Sequence, residues 1–181
     1  MMDAQSYIDP LSHLLRSHAN AEKAASMAAY MRDQFPFLGI QTPQRKALFR
    51  EFQAEHGPPP LDLVADASWL LWQLPEREFQ YAAMSLLGKV QKKLGPEIIG
   101  HYEQLVVTKS WWDTIDGLAS NFIGATLLRY PEERDPWISQ WRDSENFWLR
   151  RVTLLFQLGY KAQTDVELLF ALIRENGPSS L

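Results

Sequence analysis

Apolar residues recur at three- and four-residue spacing along nearly the whole chain, and no convincing alternating stretch of strand type interrupts them. Prolines punctuate the apolar runs at Pro10, Pro36, Pro43, Pro58 to Pro60, Pro75, Pro96, Pro131, Pro136 and Pro178. Proline suits the first turn of a helix and stops its interior. Cutting the chain there predicts helices over 6–17, 20–34, 42–55, 61–72, 76–94, 96–107, 111–130, 132–142, 146–160 and 163–176. Thr42 before Pro43, Ser110 before Trp111 (with Asp113 three residues on), and Asn146 before Phe147 read as helix starts. Helices with short connectors and no strands predict an all-α fold. The pairs are about the length of HEAT-like repeats. The expected architecture is therefore a HEAT-like solenoid of antiparallel helix pairs with a concave face, one domain over 1–181, and a compact bundle is the competing arrangement.

Two helices carry charged residues on apolar arcs. Over 111–130, Trp111, Trp112, Ile115, Leu118, Ala119, Phe122, Ile123 and Leu127 share one broad arc at about 100° per residue. Asp113 falls outside it and reads as a first-turn acid at the positive end of the helix dipole. Asp116 falls inside its edge, one turn after Trp112. A carboxylate there is costly unless paired or used. Its ordinary reading is an arginine partner from the next helix, and its functional reading is catalysis. Gly117, Ser120 and Gly124 form a small face whose first reading is close helix packing.

Over 146–160, Arg150, Thr153, Gln157 and Tyr160 make a polar stripe, expected to be the wet face. Arg151 points nearly the other way, among Phe147, Trp148, Leu154 and Leu158. Such an arginine needs a carboxylate or a phosphate. Pattern alone does not separate an ion pair, with Asp116 as one candidate partner, from a phosphate clamp. Most of the seven tryptophans read as packing, but Trp112 beside Asp116 could cradle a sugar or a cationic base.

Composition narrows the chemistry. With 181 residues, 46% hydrophobic and 22% charged, the chain can bury a core of ordinary size. It has no cysteine, hence no disulfide and no thiolate zinc site. The four histidines lack metal-ligand spacing, and no Gly-rich phosphate loop or nucleophile elbow is present. Neither a signal peptide nor a long apolar span is evident, which makes the cytoplasm the expected compartment. A net charge of −4 counts against a strongly basic nucleic-acid binder. Local charge matters more than the total. Basic residues cluster at Arg45, Lys46 and Arg50, at Lys89, Lys92 and Lys93, and at Arg150 and Arg151. Each cluster is usually a solvated face; together they could line one groove.

The runs YMRDQFPFLGIQTPQRKALF, LWQLPEREFQYAAM, TKSWWDTID and FWLRRVTLLFQLGYK resemble the bacterial AlkD-like DNA alkylation repair enzymes, over about residues 7–175. The resemblance implies a HEAT-like solenoid whose concave face holds duplex DNA. It also implies excision of positively charged N3- and N7-alkylated purines in base excision repair, without base flipping. By the same likeness Asp116 is the catalytic carboxylate, Trp112 contacts the lesion nucleotide, Arg151 holds the backbone near it, and Tyr30 lies near the DNA. Arg45 and Lys46 are expected DNA contacts from the first basic cluster. No metal or organic cofactor is implied. An alkylated purine is already a good leaving group, and a carboxylate can stabilise the oxocarbenium-like sugar left behind and orient water.

Three features depart from that pattern. Gly159 stands where the family usually has lysine, which would remove one phosphate contact. The chain ends at Leu181, before further helices and a tryptophan that closes the site opposite Trp112, so it reads as C-terminally short. The net charge is low for a duplex binder. An uncapped repeat exposes apolar surface, and dimerisation is one way to cover it. The second reading is therefore a non-catalytic HEAT-like module that binds DNA or protein.

Overall fold

The computed structural model describes residues 3–177, so the tail from Pro178 onward lies outside the described residues. Every regular element among them is helical: α1 (Ala4–Ser17), α2 (Ala21–Tyr30), α3 (Thr42–His56), α4 (Val64–Gln73), α5 (Arg77–Val90), α6 (Ile98–Val106), α7 (Trp112–Gly117), α8 (Ala125–Arg129), α9 (Arg134–Arg142), α10 (Phe147–Leu155) and α11 (Val166–Asn176). The all-α expectation holds. Two compact units divide the chain, one ending at Lys93 and the other beginning at Leu94.

In the first unit α1 packs on α3 and α4, and α4 on α5. Tyr7, Leu11, Leu15, Phe52, Leu71, Trp72, Phe79 and Leu86 are buried there at helical spacing. One buried acid ties this core to the segment between α2 and α3. Glu78, wholly buried, accepts the backbone N–H groups of Leu38 (2.9 Å), Gly39 (2.9 Å) and Ile40 (3.0 Å). Gly39 has φ +85°, and a Cβ there would lie 2.0 Å from the Asn20 carbonyl oxygen, so both backbone sign and space require glycine. The neighbouring Arg77 is equally buried, lies over the Phe35 ring at 3.9 Å, and donates its backbone N–H to Pro36 at 2.9 Å.

In the second unit α10 packs against α6, α7, α9 and α11. Its core includes Ile99, Leu105, Ile115, Leu118, Trp141, Val152 and Phe156. Three sequence expectations need correction. Thr42 is already helical, and Gln41 precedes α3 without a side-chain cap. Ser110 does not cap α7; its hydroxyl donates back to the Val106 carbonyl at 2.5 Å, and Trp111 takes the cap position. Asn146 does cap α10, accepting from the Trp148 N–H at 2.9 Å.

The third correction concerns α10. Its polar stripe is not the wet face: Thr153, Gln157 and Tyr160 are buried. Each polar group has found a partner, which removes the cost of burying it. Thr153 donates to the Arg150 carbonyl at 2.7 Å, Gln157 exchanges two hydrogen bonds with the Asp165 backbone, and the Tyr160 hydroxyl donates to the Gly124 carbonyl at 2.8 Å. Arg150 reaches back to the connector between α9 and α10 and donates to the carbonyls of Ser144 (2.6 Å) and Glu145 (3.1 Å). Leu158, expected on the apolar face, is 73% exposed.

Candidate functional site

The helix expected over 111–130 is divided by a π-helical segment, Leu118–Gly124, between α7 and α8. The small residues explain the division. Ser120 donates its hydroxyl to the Asp116 carbonyl at 2.7 Å, competing with the helical ladder. A Cβ on Gly124 would lie 2.0 Å from the Phe156 carbonyl oxygen, so the segment can approach the end of α10 only because that residue is glycine. Close packing, the first reading of this small face, holds at Gly124. Widened turns of this kind are frequent at functional sites.

This packing sets Arg151 of α10 opposite Asp116 of α7. The Arg151 Nε donates to Asp116 Oδ1 at 2.7 Å, and its terminal amino group donates to Oδ2 at 2.8 Å. The pair is bidentate, the geometry in which guanidinium and carboxylate match best. It is also half-exposed, with side-chain exposures of 33% for Arg151 and 38% for Asp116. Donation of its hydrogen bonds to Asp116, more than the desolvation that opposes it, holds the Arg151 pKa above its usual value. The ion-pair reading of these two residues is therefore realised in the free protein. The pair remains accessible to a ligand.

Trp112 opens α7 one turn before Asp116 and is 41% exposed. Its neighbour Trp111 turns inward against Trp148, ring centroids 6.0 Å apart, and Trp148 meets Phe147 edge-on at 5.3 Å. Trp111 Nε1 is buried with no hydrogen-bond partner among the described residues. Lys109 takes φ +51° just before this segment, a left-handed conformation unusual for a side-chain-bearing residue. Asp113 occupies the first turn of α7, as its spacing predicts.

The remaining sequence-predicted residues lie in the first unit. Tyr30 ends α2 and is 72% exposed. Arg45 and Lys46, in the first turns of α3, border a pocket together with Arg50 and Lys89. The sequence had placed Lys89 in a different basic cluster. Its only advance signal was the like-signed pair Lys46 and Arg50 at i, i+4, which a helix does not favour on its own account.

The model of a family described as DNA alkylation repair enzyme matches residues 11–180. The chain belongs to that family. A solved structure of a predicted DNA alkylation repair enzyme from Enterococcus faecalis superposes with a TM-score of 0.82 at 32% identity, covering 90% of this chain and 76% of that one. No protein of curated function matches. Membership in the DNA alkylation repair enzyme family gives the protein a role in DNA repair and accounts for the four runs of familiar sequence. Two of them are joined by Glu78 and two by the Asp116–Arg151 pair.

Proposed function

We propose that this family member is an alkylpurine DNA glycosylase acting on duplex DNA, with Asp116 as the catalytic carboxylate, Trp112 against the lesion nucleotide, and Arg151 on a backbone phosphate. Tyr30, Arg45 and Lys46, in the first unit, are further DNA contacts of this reading. The observation that carries this reading is a half-exposed, bidentate carboxylate–guanidinium pair beside an exposed tryptophan.

An exposed ion pair contributes at most about 1 kcal/mol to stability, so it is cheap to exchange. DNA offers a partner for each half of it. A phosphate takes the guanidinium, and the cationic nucleoside takes the carboxylate. At about 4 Å and an effective dielectric constant near 20, each such attraction is worth about 4 kcal/mol before desolvation. As the N-glycosidic bond breaks, its electron pair neutralises the alkylated base, and positive charge passes to the sugar. Asp116 faces that charge and can accept a hydrogen bond from the water that adds to the sugar carbon. The water's proton leaves to solvent. The Trp112 face supports the cation without blocking the carboxylate.

The test is release of 7-methylguanine from methylated duplex DNA by the parent and by Asp116→Asn. Release by the parent with collapse in the variant is expected. Salt-sensitive binding without any release would overturn the enzymatic reading in favour of a DNA-binding module.

A further inference from the structure

The first unit holds a basic pocket of about 590 Å³ between α3 and α5, and all four ionisable residues bordering it are cations: Arg45, Lys46, Arg50 and Lys89. Among the described residues no acid borders it, in a chain whose net charge is −4. The Arg45 guanidinium carbon lies over the Tyr81 ring, 4.3 Å from its centroid. Lys46, Arg50 and Lys89 have no hydrogen bond or ion pair among the described residues, and each is exposed. A structural account covers Lys89, which sits in the last turn of α5 where a cation suits the helix dipole. It does not cover Lys46 and Arg50, whose spacing one turn apart is repulsive. Lys46, Arg50 and Lys89 converge on the pocket with no counter-charge among the described residues, and they raise one another's energy until an anion enters.

The geometry points to a phosphodiester-binding pocket: Arg50 and Lys89, with Arg45 and Lys46, grip the backbone of a duplex without reading its sequence. The apolar wall of Pro43 and Phe49 suits the sugar next to that phosphate. The inference rests on the duplex-DNA reading above and adds two contacts that the sequence did not assign. A phosphate in this pocket fixes register and adds affinity but carries no base information.

The experiment is binding of the full chain to undamaged and methylated duplexes across a salt series, with Arg50→Ala/Lys89→Ala as the variant. Loss of two phosphate contacts should reduce the slope of log K against log salt by about 1.8, equally for both duplexes. The variant's melting temperature should stay level or rise, because repulsion is relieved. Arg50→Lys/Lys89→Arg should restore the parental slope. A parental slope in the double-alanine variant would overturn the pocket and leave the glycosylase reading intact. A parent with no salt-dependent duplex binding would overturn that reading and the pocket's duplex assignment together. Inorganic phosphate supplies the last arm: if it shifts the Arg50 and Lys89 side-chain NMR signals while duplex leaves them unmoved, the ligand is a free anion and the duplex assignment fails.

Discussion

Two acids, one in each unit, join distant runs of familiar sequence by opposite means. Glu78 is wholly buried and spends its oxygens on three backbone N–H groups of residues 38–40. Asp116 is half-exposed and spends both oxygens on one arginine. The first arrangement cannot be exchanged for a ligand without exposing three amides inside the protein. The second can be opened from solvent at little cost. Accessibility and the nature of the partner, rather than the charge itself, separate a carboxylate that builds the fold from one available for chemistry.

The largest effect expected from this contrast is on Glu78. Glu78→Ala orphans three buried N–H groups, each costing about 1–3 kcal/mol. After partial relaxation, denaturant unfolding should show a loss of about 3–5 kcal/mol. A variant as stable as the parent would mean that water replaces the carboxylate and that the contrast is false. Asp116→Asn should behave in the opposite way. Base release should fall about 10²- to 10³-fold, the scale seen when a charge-stabilising group is removed, while unfolding free energy changes by less than about 1 kcal/mol. Equal losses of stability in the two variants would erase the distinction.

Gly124→Ala lies between them. Its Cβ would press on the Phe156 carbonyl, so the π-helical segment and the end of α10 must separate. A stability loss of about 1–3 kcal/mol is expected from such overpacking. Base release should fall as well, because the same contact sets Arg151 opposite Asp116. Unchanged release would show that the pair's placement does not depend on this approach.

The smallest effect is on pH dependence. Burial pushes the hydroxyls of Tyr7 and Tyr160 up from 10.0 to about 12, and that of Tyr102 also upward. In the unfolded chain they ionise near pH 10, whereas in the folded protein they hold their protons longer. The folded state therefore binds more protons in this window, and stability is lost as pH rises from about 10 towards 12. Below pH 10 the hydroxyls are neutral in both states and contribute no slope. Melting temperatures measured from pH 8 to 11, beside an ultraviolet titration of tyrosine, will detect this. Tyr160→Phe should flatten part of the alkaline decline.

Much of the fold was legible in the sequence because helix formation is local. Apolar spacing and proline placement mark the helices that were found, with ends shifted by a few residues. The acid of the candidate site was legible for the same reason, since turning 111–130 about its axis singles out Asp116 over Asp113. Arg151 was singled out over Arg150 on a face assignment that the structure reverses, with Leu158 exposed and Thr153, Gln157 and Tyr160 buried. The buried face of α10 was not legible. Thr153, Gln157 and Tyr160 read as wet because their partners, the Asp165 backbone and the Gly124 carbonyl, belong to other elements. The break in 111–130 was equally hidden, since Gly124 is needed for what approaches it.

By itself, then, the sequence determined that the chain is helical, roughly where most of its helices run, and which acid stands out of place. Those properties follow from residue spacing and chain chemistry. Tertiary structure alone decided that Asp116 and Arg151 meet, that Glu78 rather than Asp116 is the acid sealed in the core, and that Lys89 shares a pocket with Arg45, Lys46 and Arg50. Those outcomes depend on how far apart segments approach and on which backbone groups they leave to be satisfied. Side-chain periodicity carries no record of either.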